Sequence, residues 1–172
     1  DLGPAEIARL RAYIDRTLPE RETRRPRLGE LLAPPRVVLR AMCADVEDVI
    51  TVASARLARD RDQARVLAQP LLEREQAAPS AVGAGVVAPH AIVPGELARA
   101  ALVVTARPLK GRAPDGAPIQ LAVVLVEPAA DRSHLERLAH VARLAARGLA
   151  ETLGAARSAE QALKLLATLA VT

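Results

Sequence analysis

The sequence predicts a single α/β domain with helices on both faces of its sheet, preceded by an N-terminal helix and a linker. Two apolar runs rich in Val and Leu, 101–106 and 121–126, are short and bounded by turn signals, as buried strands are. Segments with helical spacing interleave with these runs, the order that lays helices over a sheet. A length of 172 residues supports one domain with a real core and little more.

Residues 4–16 read as an amphipathic helix, because Pro4 suits the first helical position and Ile7, Leu10 and Ile14 recur at helical spacing. Residues 17–26 are polar and interrupted by prolines, so a segment 1–27 of helix and Arg/Pro-rich linker precedes a domain spanning 28–172. Within that domain, 28–32 suggests a short helical turn, and Pro34-Pro35 introduces a strand at 36–39. Helix 45–58 carries the inner stripe Val46, Val49, Ile50 and Ala53, and a second helix covers 60–75. The small-residue run 81–88 reads as a strand that ends at His90. Ala113-Pro114-Asp115-Gly116 marks a turn between the two long strands. Helices at 133–147, 149–155 and 158–170 complete the chain, and Ser158 with Gln161 has the spacing of a capping box.

Composition excludes several functions. Tyr13 is the only aromatic residue, so nucleic-acid binding by base stacking has almost nothing to work with. Core volume must come from Leu, Val, Ile and Ala, which lets helices pack closely. The formal charge is +4, but nearly all of it is scattered Arg, with only Lys110 and Lys164 as lysines. The dense cluster Arg21, Arg24, Arg25 and Arg27 falls in the linker and reads as a solvated segment; no nucleic-acid partner is expected. Cys43 stands alone, which rules out an intramolecular disulfide and suits a reducing, cytoplasmic setting. The three histidines lack metal-site spacing, so no metal is expected. No glycine-rich loop ends in Lys and Ser or Thr, so no nucleotide or other cofactor is expected either.

One stretch carries more chemistry than the rest: Gly83-x-Gly85-x-x-x-Pro89-His90, with Arg74 and Glu75 at the end of the preceding helix. A histidine fixed by a proline beside a buried strand is placed to act as a nucleophile. Neutral imidazole is abundant near pH 7, and a ring nitrogen can attack phosphorus and later release it. Either ring nitrogen is compatible with the sequence, and a bare Pro-His pair also fits a plain strand end. A second histidine follows in Ser133-His134-Leu135-Glu136-Arg137-Leu138. Ser133 with Glu136 has capping-box spacing, which predicts Ser133 at the N-cap and His134 in the first turn, where helix amides favour an anion.

Taken in order, Leu71-Leu72-Glu73-Arg74-Glu75, the Gly83-to-His90 segment and the Ser133-to-Leu138 segment resemble enzyme IIA of the fructose, mannitol and nitrogen-regulatory class of the bacterial phosphoenolpyruvate-dependent phosphotransferase system. The resemblance runs from about residue 28 to the C-terminus. It implies a small mixed sheet flanked by helices, and a protein-histidine phosphoryl carrier. His90 would accept the phosphoryl group from an HPr-like phosphocarrier protein and pass it to a IIB component. His134 would hydrogen-bond the phosphoryl group or hold the His90 imidazole in one tautomer. Arg74 would offer its planar fork to phosphate oxygens, with Glu75, Ser80, Gly85 and Ser133 as support. Pro79-Ser80 stands where many members have a small residue and Thr, and Ser80 keeps the hydroxyl.

A second reading is a cytosolic regulatory domain attached to a membrane ion transporter such as a cation/proton antiporter. The start at Asp1, the leading helix and the Arg-rich linker motivate it; the histidine pair motivates the carrier. Both hold together if phosphorylation is the regulatory signal.

Overall fold

A computed structural model of the chain describes residues 27–111 and 113–171. The helix expected at 4–16 and its linker lie outside the described residues. In chain order the elements are α1 (Leu28–Leu31), a 3-10 turn (Pro34–Arg36), β1 (Val37–Ala41), α2 (Val46–Leu57), α3 (Arg61–Ala77), β2 (Ala81–Gly83), β3 (Val86–Val87) and β4 (His90–Ile92). There follow β5 (Arg99–Thr105), β6 (Leu121–Glu127), α4 (Arg132–Ala146), α5 (Leu149–Gly154) and α6 (Ala159–Val171).

The sheet is mixed, with order β1-β5-β6-β3-β2 and β4 also paired to β6. The β1–β5, β3–β6 and β4–β6 pairs are parallel, whereas β5–β6 and β2–β3 are antiparallel. β6 lies in the middle, and every one of its residues is buried. Alternation sorts them: Leu121, Val123 and Leu125 face a core shared with α1, α4, α5 and α6, while Ala122, Val124 and Val126 face α2 and α3. Helices therefore cover both faces. That is why the strand sequence is an unbroken apolar run rather than an alternating one. Each fully buried Leu or Val there contributes about 1.5–3 kcal/mol, and with no Phe or Trp in the chain the core is filled by layers of Leu, Val and Ala.

Side chains of the chain itself set the helix starts. Asp45 caps α2 by accepting from the Asp48 amide at 3.0 Å, and Asp60 caps α3 through the Gln63 amide at 2.8 Å. Ser158 Oγ accepts from the Gln161 amide at 3.1 Å, as its spacing suggests, while the Gln161 side chain reaches the Arg157 amide.

Two sequence expectations need correction. The run 81–88 is not one strand. Gly83, Ala84 and Gly85 take φ values of +93°, +50° and +78°, and these three left-handed residues turn β2 back onto β3. The chain then continues along β6 in unchanged register, Val87 opposite Ala122 and His90 opposite Leu125, interrupted only where Pro89 has no amide to donate. His90 thus opens β4 instead of ending a strand. Nor is Ser133 the N-cap of α4. Asp131 takes that place, its Oδ1 accepting from the His134 amide at 3.1 Å and from Ser133 Oγ at 2.9 Å. A carboxylate is the better partner for the positive end of a helix, so Asp131 holds both donors.

Candidate functional site

Strand alternation decides which side chains meet. Leu125 faces the α4 side of the sheet, so its register partner His90 does too. Two residues on, Ile92 sits opposite Glu127, which faces the same way. From above, the first turn of α4 brings down His134. The imidazole centroids of His90 and His134 are 5.3 Å apart, with their planes tilted by 52°. His134 is buried and His90 partly exposed, so the pair has one ring inside and one at the surface.

The backbone fixes the His90 ring. Its Nδ1 lies 2.8 Å from the Ala88 carbonyl oxygen, and a carbonyl only accepts, so Nδ1 carries the proton. Nε2 is left with its lone pair. Burial holds the His90 pKa below the ordinary imidazole value. The hydrogen bond to Ala88 works against this, the charges of Arg74 and His134 add to the lowering, and Glu75 opposes it. The result is a neutral imidazole in one tautomer. Ala88 is itself held, its amide donating to the Ser80 carbonyl at 2.9 Å, and the Pro89 carbonyl accepts from the Leu125 amide at 2.9 Å.

Arg74 and Glu75 approach from the last turn of α3. Arg74 is exposed and its Nη1 donates to the Ala78 carbonyl at 2.9 Å, which bends the side chain over the helix end. Glu75 Oε1 accepts from the Ser80 amide at 3.2 Å. Glu75 Oε2 and Ser80 Oγ are buried with no hydrogen-bond partner among the described residues. His90, His134, Arg74, Glu75 and Ser80 therefore gather around one end of β4.

Gly85 and Ser133 do not join them. Gly85 lies next to Val86, which pairs with Leu121, four residues back along β6 from the partner of His90. One residue further out, Gly85 is roughly 16 Å away along the strand. Its role is to pass close to the chain entering β6, where a Cβ would sit 2.9 Å from the Pro118 carbonyl oxygen. Ser133 turns to the other side of α4, where with Glu136 and His140 it lines a groove of about 540 Å³ that includes neither His90 nor His134.

The site also holds two residues that sequence reasoning passed over. Glu127 is buried at the end of β6, and its carboxylate receives Arg137 in a two-pronged pair, Nε to Oε1 at 2.9 Å and Nη2 to Oε2. This hydrogen bonding pushes the Arg137 pKa up from its ordinary value. Glu127 Oε1 is also 3.2 Å from His134 Nδ1. The available signal was a carboxylate closing the apolar run Leu121–Val126, followed ten residues later by an arginine one helical turn past His134.

The chain as a whole resembles known proteins. The family described as "Phosphoenolpyruvate-dependent sugar phosphotransferase system, EIIA 2" matches residues 30–169. The chain is 35% identical over 111 residues to a nitrogen regulatory protein of Bradyrhizobium diazoefficiens, covering 60% of this chain and 69% of that protein. Among solved structures, nitrogen regulatory protein IIA-Ntr of Neisseria meningitidis aligns with a TM-score of 0.69 and 28% identity, over 80% of this chain and 97% of that one. The mannitol IIA of Escherichia coli aligns with a TM-score of 0.60 and 19% identity, over 78% and 98% respectively, a likeness of fold.

Proposed function

The chain belongs to the EIIA 2 family of the phosphoenolpyruvate-dependent sugar phosphotransferase system, and on that premise we propose that it carries a phosphoryl group on Nε2 of His90. The observation that supports this most strongly is the pinned ring: Nδ1–H donates to the Ala88 carbonyl and leaves Nε2 as the nucleophilic atom. The Nε2 lone pair attacks the phosphorus of a donor phosphohistidine, the donor's P–N bond breaks, and that electron pair returns to the donor ring. Onward transfer runs the same step with His90 as leaving group. Such transfer needs little covalent help from the protein, only alignment and charge neutralisation.

Arg74 supplies a cation at the helix end, His134 a second ring beside the phosphoryl position, and Ser80 Oγ a buried hydroxyl without a partner among the described residues. Glu75 braces the Ser80 amide. The donor is an HPr-like phosphocarrier or its nitrogen-branch counterpart, and the work takes place in the cytoplasm. The receiver is a IIB component or, in the regulatory mode, a target such as a transporter whose activity depends on the phosphorylation state. The 35% and 28% identical relatives are nitrogen regulatory proteins, which favours the nitrogen-regulatory branch. Among the described residues no helix is long and apolar enough to cross a membrane.

The test is an intact mass after incubation with phosphoenolpyruvate, enzyme I and HPr, and in parallel with the nitrogen-branch pair. One acid-labile phosphoryl group on the wild type and none on His90→Ala is the expected result. Equal labelling of the two proteins contradicts the assignment.

A further inference from the structure

The buried pair behind His134 is out of place as a stability device. Glu127 follows six apolar residues of β6, and the side chains of Glu127, His134 and Arg137 are only 1%, 6% and 9% exposed. Replacing such a pair by apolar residues of similar volume is often neutral or stabilising. What the pair does accomplish is to put a carboxylate oxygen 3.2 Å from His134 Nδ1, on the same face of the sheet as His90.

We propose that Glu127 is a positioning residue for His134, with Arg137 as the partner that fixes the carboxylate in place. The proposal rests on the carrier reading above and adds a second layer to that site. A carboxylate opposite Nδ1 favours a proton on that nitrogen. Nε2 is then the ring atom of His134 reserved for a phosphoryl group on His90. With both ring nitrogens protonated, Nδ1–H faces the carboxylate and Nε2–H is free to donate to a phosphoryl oxygen. The Arg137 fork occupies both Glu127 oxygens, so the carboxylate cannot turn away from the imidazole. In the unphosphorylated protein the contact is close but not aligned, and Nδ1 has no hydrogen-bond partner among the described residues. A small rotation of the ring completes it.

The test uses the full chain labelled with 15N-histidine and phosphoramidate, a small phosphoryl donor that removes any effect of partner docking. Glu127→Gln keeps the shape and removes the charge. The expected result is a shift of both His134 ring-nitrogen resonances that is larger than any in those of His90, and labelling of His90 slowed about 10-fold or more, by analogy with losing the carboxylate behind a metal-ligating histidine. Should the single variant fold poorly because Arg137 is left unpaired, the apolar double variant Glu127→Leu/Arg137→Met restores packing and should show the same slow labelling. Wild-type rates and unchanged His134 nitrogen shifts in either folded variant overturn the proposal. If the wild type takes no phosphoryl group from any donor but the His134 shifts still respond to Glu127, the positioning stands and the carrier reading fails.

Discussion

Replacing Gly85 with alanine separates the two roles that a glycine before His90 could have. At φ +78° an L-residue with a Cβ is strained by roughly 1–2 kcal/mol. The new methyl would also lie 2.9 Å from the Pro118 carbonyl oxygen, inside any ordinary contact. Relief is hard to find, because the Gly85 carbonyl accepts from both the Gln120 and Leu121 amides and so ties the two segments together. A further 1–2 kcal/mol or so for this overpacking brings the total to about 2–4 kcal/mol. For a chain of this size that lowers Tm by about 4–16 °C. Gly95 is the internal control: its φ is +85°, but a Cβ there meets nothing within 4 Å. Gly95→Ala should therefore lose only the backbone part, about 1–2 kcal/mol. Thermal melts followed by far-UV circular dichroism measure both. Below its lowered Tm, folded Gly85→Ala should still be phosphorylated at the wild-type rate, since the residue lies far from His90. A Gly85→Ala melt no lower than that of Gly95→Ala would refute the close-approach reasoning. Slow phosphorylation of a fully folded variant would restore Gly85 to the phosphate site.

Three more outcomes follow from the surroundings of His90. Its pKa is held below that of free imidazole, chiefly by burial, so the ring stays neutral where an ordinary histidine has begun to protonate. Phosphorylation of the carrier at fixed donor should stay flat as pH falls through about 6.5 and decline only below it. The folded protein binds fewer protons at His90 than the unfolded chain does. The stability contribution is therefore fully present above the unfolded value of about 6.5 and is lost as pH falls toward the folded pKa. Urea midpoints should drop more steeply with acid in the wild type than in His90→Gln; parallel slopes contradict this. Arg74→Ala should leave the melt within about 0.5 kcal/mol of wild type, because the side chain is exposed. Losing a cation near the phosphoryl position should slow labelling of His90 about 10-fold, and removing a charge that lowers the His90 pKa should move its titration upward. An unchanged rate would remove Arg74 from the site.

Much of this fold was legible because its signals are local. The long strands announce themselves as apolar runs, the helices by their stripes, and His90, Arg74 and His134 by a spacing that resembles a known family. What escaped the sequence depends on neighbours distant along the chain. The glycines at 83 and 85 sit in a run of small residues that looks like one continuous strand, and only the left-handed backbone reveals the hairpin. Asp131 outcompetes Ser133 for the cap because both could serve, and the choice depends on how the loop after β6 delivers them. Glu127 and Arg137 belong to a strand and a helix whose pairing is a tertiary fact. A carboxylate at the end of an apolar run reads as the strand's solvent exit until the helix lands on it. The tautomer of His90 was equally out of reach, because it is set by a backbone carbonyl that has no signature in sequence.

The most direct measurement is the identity of the phosphorylated nitrogen, read from the two-bond and one-bond 15N–31P couplings of the 15N-histidine-labelled protein after phosphoryl transfer. Because the Ala88 carbonyl holds Nδ1–H, the phosphoryl group should appear on Nε2 of His90 and nowhere else. A phosphoryl group on Nδ1, or on His134 in the presence of an intact His90, would contradict it.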